Sequence, residues 1–484
     1  MTLKNFYKNY QNSNPEKFNK ELIYMRKDEQ DKMADFFYNL FSSLSIPGIT
    51  FVESKLITSE LEQRDYFPTL KVKPIEESRM NLIVAKFILE AEGEKEEITF
   101  LQYFPKLIDD FFFELIGNRY FCIYQINDKN FYATPKALYL KTLLMPLGIK
   151  FSKTSFETMN GETISGLEYL LDIFRAKSLS EVKNMFLYYY IEYGEDTIDY
   201  IFNYKLEEGD DPNVFLDSGD YHEYEGYDAY QIRKDFFLYF KTDLLDDQNY
   251  KNLLCTAVNS LKGIRKTKDV LFSDTNYLKK RILGTTNPNV AKADKAMLSL
   301  KRILDKVTIE KLSHLDDVDK TDTFAITRYM TWNFEKLFQL DTVHLANRRL
   351  RLLEYMVYPL LTKFSDSTYR ILNSRNVTIK RLKHVFSTVH PFFITKNLIN
   401  NELLRYYNAT STLELFTVAL RFSAKGPQAL GNAGQSVALK YRAVHPSYVG
   451  TIGLTMSSAD QPGLTGTFCP LTKNIKNFNF LVEE

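Results

Sequence analysis

The sequence predicts an α+β protein of more than one domain. Three observations point there. The chain has 484 residues, enough for two or three separate cores. Its apolar periodicity changes from helical to alternating and back along its length. Its charge falls into opposed blocks although the net is only +1. An apolar fraction of 44% and a charged fraction of 25% belong to an ordinary soluble protein.

Residues 15–45 carry apolar groups at helical spacing and run out near Pro47-Gly48, so they read as one amphipathic helix. From Phe51 to about Asn130 the pattern is that of strands: KLITSELEQRDYF, NLIVAKFILEA and EITFLQYF, separated by charged turns. FPKLIDDFFFELIGNRYFCIYQI (104–126) reads as two apolar strands, with the pair Gly117-Asn118 as their hairpin turn. From about Leu138 the runs ALYLKTLLMPLG, LEYLLDIFRAK and SEVKNMFLYYYIEYG read as helices. An acidic, Tyr-rich segment (192–231) follows, then a basic helical stretch from NYKNLLCTAVNSLKG to KAMLSLKRILDKV. The aromatic residues of these helical patterns read as core rather than as a binding stripe. Composition shifts most strongly near 145 and 335.

Three cysteines, Cys122, Cys255 and Cys469, without a CxxC spacing, argue against a disulfide framework or a zinc site and for buried, reduced thiols. The polar first thirty residues do not read as a signal peptide, and no apolar run reaches membrane-spanning length. The expectation is a soluble, intracellular protein with no membrane partner.

From Glu192 to Tyr250 there are 17 acids and 4 bases, from Lys251 to Lys306 13 bases and 4 acids, and from Leu345 to the end 17 bases and 7 acids. Blocks of this size fit a face that meets nucleic acid and another that repels it, or solvated faces on separate domains. Within the last block, no Asp or Glu occurs from Leu415 to Ala459, while Arg421, Lys425, Lys440 and Arg442 do. A cationic, glycine-punctuated, acid-free segment suits a polyanion lying against the backbone. A loop that happens to lack acids has the same composition.

Phosphate-loop, nucleophile-elbow and HExxH patterns are absent. His344, His390 and His445 are scattered. A non-catalytic nucleic-acid-binding or scaffold protein is one reading of this chain. A stand-alone enzyme working through His445 and Asp460 is another.

Four stretches together carry a resemblance. ALRFSAKGPQAL (419–430) resembles the RRISALGPGGL segment of the β subunit of multisubunit DNA-dependent RNA polymerases, at Arg421, Ser423, Ala424, Gly426, Pro427 and Leu430. RAVHPSYVG (442–450) resembles that family's R-x-VHP-x-x-x-G at Arg442, Val444, His445, Pro446 and Gly450. LDTVHLANRRLRLLEY (340–355) resembles D-x-x-H-L-x-N-R-R at Asp341, His344, Leu345, Asn347, Arg348 and Arg349. FPKLIDDFFFELIGNRYFCIYQ (104–125) resembles the N-terminal strand pair that ends in Gln. The sequence departs from the family at MSSADQPGLTG (456–466), where Asp460 is the sole acid and Pro462-Gly463 a partial echo of E-T-P-E-G-P-N-I-G-L. It departs again at LGNAGQS (430–436), which is uncharged where the family is Arg-rich.

The resemblance implies an N-terminal β fragment of the split-subunit type found in giant bacteriophages. Its parts would be a protrusion (1–145 and 336–410), an inserted lobe (146–335) and a hybrid-facing fork region (411–484). The expected nucleic-acid contacts are Arg421, Ser423, Lys425, Gly426, Pro427, Gln428, Arg442, His445, Arg348, Arg349 and Arg351, with Asp460 and Pro462 close to the active site. No catalytic residue and no metal ligand is expected in this chain, because the family's Mg2+ is held by β′. The implied partners are a C-terminal β fragment, β′ fragments, a promoter-specificity subunit, template DNA and nascent RNA. The implied location is the cytoplasm of the infected bacterium, or the virion if the polymerase is packaged.

Overall fold

A computed structural model describes the chain apart from residues 1–19, 45, 67–77, 144–145, 174–182, 285–289, 353, 373, 375, 408–410, 427–428, 430–436, 454–460 and 482–484. It is a mixed α+β protein of two compact units. The larger comprises 1–129, 305–307 and 341–484, and the other 130–304 and 308–340. The breaks lie at 129/130 and 340/341, near but not at the compositional shifts at 145 and 335. Residues 336–410 and 411–484, set apart in sequence, share the larger unit except for 336–340.

In the larger unit, Ile49–Ile57, Met80–Ala91 and Glu94–Pro105 form an antiparallel sheet. Its tight hairpin turns at Glu92-Gly93, both with positive φ (55° and 84°), as the right-handed strand twist favours. The helix Met33–Ser42 lays Phe41 against Phe51, Phe87 and Phe100, and Phe386 of the helix Ile379–Ser387 packs on Phe87 at 4.6 Å. The single helix expected over 15–45 is two, Lys20–Asp31 and Met33–Ser42, parted at Lys32, and its first residues lie outside the described ones. No feature of the helical spacing marks that break.

A second sheet orders Leu404–Tyr406, Asn118–Cys122, Phe112–Leu115 and Leu107–Ile108. Its hairpin turns at Ile116-Gly117 rather than Gly117-Asn118, because Leu115 pairs with Asn118. Ile116 takes φ 52°, unusual for a β-branched residue. Its N–H is held by Ser78 Oγ at 2.8 Å and its carbonyl accepts from Asn118 Nδ2 at 3.2 Å.

A third, six-stranded sheet runs Thr465–Thr467, Arg421–Ser423, Tyr124–Asp128, Arg348–Arg351, Asn479–Phe480 and Ile475–Lys476. Tyr124–Asp128 is central to it. It pairs antiparallel with Arg348–Arg351 and parallel with Arg421–Ser423, the latter through Phe422 to Tyr124 and Ser423 to Gln125. Three of the four motif segments therefore meet in one sheet. Arg26, 1% exposed, braces it from the helix Lys20–Asp31. Its guanidinium donates to the carbonyls of Cys122 (2.8 Å) and Ala419 (2.9 Å) and lies over the rings of Phe111 and Tyr124.

The second unit has a five-stranded sheet, Lys183–Asn184, Thr163–Ile173, Leu147–Glu157, Ala137–Leu140 and Phe131–Thr134, and a three-stranded one, Val214–Ser218, Phe236–Lys241 and Tyr227–Arg233. Two of the expected helices are thus strands: Ala137–Leu140 and, in Thr163–Ile173, the run LEYLLDI. A short apolar run has no decisive period, and here the long pairing from Leu147–Ile173 to Glu157–Thr163 decides. Tyr169 and Leu171 are buried while Leu170 and Asp172 are less so, an alternation of two. MFLYYYIEY is helical as expected (Met185–Tyr193), capped by Asn184 and with Tyr188, Tyr189 and Tyr190 in the core. The basic stretch is helical too, from Gln248–Leu261 to Lys306–Lys311. Part of the acidic, Tyr-rich segment forms the two outer strands of the small sheet, where Phe215 stacks on Tyr239 at 5.0 Å.

Candidate nucleic-acid interface

The strand Arg421–Ser423 sends Phe422 inward, 1% exposed and stacked on Phe468 at 4.8 Å. Alternation then places Arg421 and Ser423 on its other face. There they pair across the sheet with Thr467 and Thr465. These residues, with Arg405, Ile123, Phe422 and Gly466, line a cleft of about 360 Å³. No carboxylate among the described residues lines it. Arg421 is exposed, and neither it nor Arg405 forms an ion pair among the described residues. Two guanidinium groups beside three hydroxyls make a surface for an anion with several acceptor oxygens. Arg405 was not among the residues expected from sequence. Its only signal there is membership of the basic C-terminal block.

Beyond the strand, Ser423 Oγ accepts the Lys425 N–H at 3.0 Å, and Gln125 Nε2 donates to the Lys425 carbonyl at 3.0 Å. Gly426 has φ 106°, and a Cβ there would lie 2.9 Å from Leu403 Cδ1. Both its backbone angle and its neighbours require glycine. The Lys425 ammonium donates to Gln461 Oε1 at 2.8 Å. Next to Pro462, Gly463 donates to the Arg442 carbonyl at 2.9 Å, and a Cβ on it would sit 2.6 Å from the Tyr441 carbonyl oxygen. The echo Pro462-Gly463 therefore turns the chain tightly against 441–443. Pro427, Gln428 and Asp460 lie outside the described residues.

The segments 340–351 and 442–450 come together as well. His445 Nε2 lies 3.2 Å from Asp341 Oδ2, and its Nδ1 lies 2.8 Å from Ser447 Oγ. That hydroxyl accepts the Leu345 N–H at 3.0 Å. Partial burial raises the Asp341 carboxyl, but the Val343 N–H, the His445 ring and the His344 N–H outweigh it and leave its pKa below the usual Asp value. His445 thus buttresses a loop and is half-buried in doing so. Arg442 is also half-buried, and its Nε is enclosed without a hydrogen-bond partner among the described residues.

The three arginines of the 348–351 strand depart from expectation. Arg348 is 2% exposed. It donates through Nε to the Thr342 carbonyl at 2.6 Å, approaches Asp128 at 3.6 Å and lies over the Tyr441 ring. Arg349 forms a two-pronged pair with Glu354 at 3.0 and 3.1 Å. Arg351, 1% exposed, lies 3.8 Å from the same carboxylate. Cationic residues on a strand central to a sheet must be paired inside the protein, which directs these guanidinium groups inward.

Among the described residues no group of three or more His, Cys, Asp or Glu could hold a metal ion. The three cysteines are free, and burial pushes the thiols of Cys122 and Cys255 up to about 12. No described helix is long and apolar enough to cross a membrane. No curated protein sequence matches the chain. A family described as non-virion RNA polymerase subunit does, over residues 2–484, and the chain belongs to that family.

Proposed function

We propose that this polymerase subunit is a β-type N-terminal fragment whose Arg421 face lies along the RNA–DNA hybrid. The observation that carries the reading is the carboxylate-free cleft of Arg421, Arg405, Ser423, Thr465 and Thr467 on a sheet built from three β-like motifs. A hybrid has A-form geometry and offers phosphates and 2′-hydroxyls rather than a readable groove. A guanidinium can donate two hydrogen bonds to one phosphate, and the threonine and serine hydroxyls can donate beside it. Such contacts hold the backbone without reading bases, as an enzyme that must transcribe any sequence requires.

In this reading Arg442 and Lys425 extend the face. Arg348, Arg349 and Arg351 serve it indirectly by fixing the sheet. The larger unit corresponds to protrusion and fork, the other to the lobe. Catalysis belongs to other subunits: Mg2+, held by β′ carboxylates, supplies the stabilisation of attacking and leaving oxygens in nucleotidyl transfer. The partners are a C-terminal β fragment, β′ fragments and a promoter-specificity subunit. Leu439, Val444, Val449 and Leu471, all exposed, favour a covered C-terminal region. The description of the family as non-virion favours the infected cell over the virion, and its being a polymerase family favours this reading over a scaffold protein.

The test is reconstitution. The chain alone should make no RNA, and co-expression with the remaining β and β′ fragments should give one complex on a sizing column. Site-specific crosslinking from the hybrid in a stalled complex should reach 421–425. A chain that transcribes alone, or crosslinks confined to other subunits, would overturn the reading.

A further inference from the structure

A second cationic cavity, of about 730 Å³, lies where the end of the helix Glu354–Leu372 faces the helix Ile379–Ser387. Arg370, Lys380, Arg381 and His384 line it, with Ser and Thr hydroxyls between them and Ile371 and Val385 at its apolar floor. No carboxylate among the described residues lines it. All four cationic or basic side chains are exposed, and none forms an ion pair among the described residues. The contrast on the same helix is Lys383, whose ammonium is 2.6 Å from Glu96. The helix therefore sorts its cations. One is neutralised against the strand Glu94–Pro105, and the others gather around an open cavity. Like charges gathered without acids repel one another and await an external anion.

We propose that this cavity is a second phosphodiester-binding site, distinct from the Arg421 cleft, which grips the sugar-phosphate backbone of a nucleic-acid strand. Arg370 and Arg381 offer forks for phosphate oxygens, Lys380 a point charge, and Thr378 a hydroxyl donor. Among the described residues no Phe, Tyr or Trp lines the cavity, and the His384 imidazole is a small ring, so it lacks the broad stacking platform of a base-binding single-strand site. Recognition is then of the backbone, and binding should be indifferent to sequence. The two sites share no residue, so this inference stands or falls apart from the proposed role of Arg421.

The experiment uses the assembled polymerase carrying R370A/K380A/R381A, all exposed positions whose truncation leaves the core intact. Binding of labelled single-stranded DNA and of duplex DNA is followed by fluorescence anisotropy across a salt titration, with K383A as control. Loss of three phosphate contacts should lower the slope of log affinity against log salt by about 2 for a single strand or about 3 for a duplex. The arm showing the larger loss identifies the form bound. K383A should match the parent enzyme. Unchanged affinity and slope in both arms would overturn the proposal. So would a triple variant that no longer assembles with its partner subunits while its nucleic-acid binding is intact, since the cavity would then receive an acidic protein surface.

Discussion

Gln125 donates its side-chain amide to the backbone oxygen of Lys425 across 3.0 Å, linking residues 300 positions apart. Gln125 is fully buried on the central strand, and Lys425 follows the strand that carries Arg421. The bond fixes where the chain leaves the sheet. The bend that follows is made by Gly426, whose missing Cβ leaves room for that same amide at 3.0 Å.

Gly426→Ala should therefore be costly. A non-glycine residue at φ 106° costs about 1–3 kcal/mol in backbone strain, and crowding against Leu403 and Gln125 adds a comparable amount. Gln125→Met should cost about 1–3 kcal/mol by leaving the part-buried Lys425 carbonyl without this donor. Both should lower the denaturation midpoint and speed amide exchange around 421–426. A Gly426→Ala protein as stable as its parent would show that the bend is not fixed as described.

Arg421→Ala should shorten the life of elongation complexes on every template, by roughly ten- to a hundredfold if one charge-assisted bond of about 1.5–3 kcal/mol is lost. The salt dependence of that lifetime should flatten. Arg233→Ala is the comparison: its guanidinium pairs with Asp235 at 3.1 Å on the small three-stranded sheet of the other unit, and its loss should be near neutral. Equal effects from the two changes would count against a phosphate contact at 421.

Much of this site could be read from the sequence because its chemistry is local. The absence of acids, the glycine at 426 and the order Arg421-Phe422-Ser423 are all visible there, and alternation then fixes which of the three faces out. Arg405 could not be read, since it reaches the cleft only through the pairing of Leu404–Tyr406 with Asn118–Cys122. Arg348 and Arg351 misled for the converse reason. A basic run on a surface and one on a buried strand look alike until the partners Asp128, Thr342 and Glu354 are placed. In the fold, Ala137–Leu140 and Thr163–Ile173 escaped because Leu and Ala suit helices, whereas strand pairing is a tertiary fact.

Arg348→Ala should act on stability and not on nucleic-acid affinity. It removes the charged partner of Asp128 and both donors to the Thr342 carbonyl, a loss of about 3–5 kcal/mol for a buried pair broken on one side. Arg348→Lys should recover little, because an ammonium cannot make the two-pronged approach or lie flat over Tyr441. Urea midpoints should fall in both variants while the salt slope of the assembled enzyme stays that of the parent. A changed slope at full stability would return Arg348 to the nucleic-acid surface.

The Asp341–His445 contact makes a prediction in pH. The Asp341 carboxyl is held below its ordinary value, which for an unperturbed Asp is about 3.9. Folding therefore favours its ionised form. That contribution is fully present above the unfolded value and is lost as pH falls through the lower folded one. Asp341 is about half exposed (52%), so water and salt screen the pair and the contribution at neutral pH should stay below about 1 kcal/mol. Asp341→Asn should lower the urea midpoint slightly at neutral pH. The difference from the parent should shrink in high salt and close as pH falls into the acid range where the native carboxyl is protonated. A gap that stays constant across that range would mean that Asp341 acts through its shape and its bond to the Val343 N–H, with no part played by its charge.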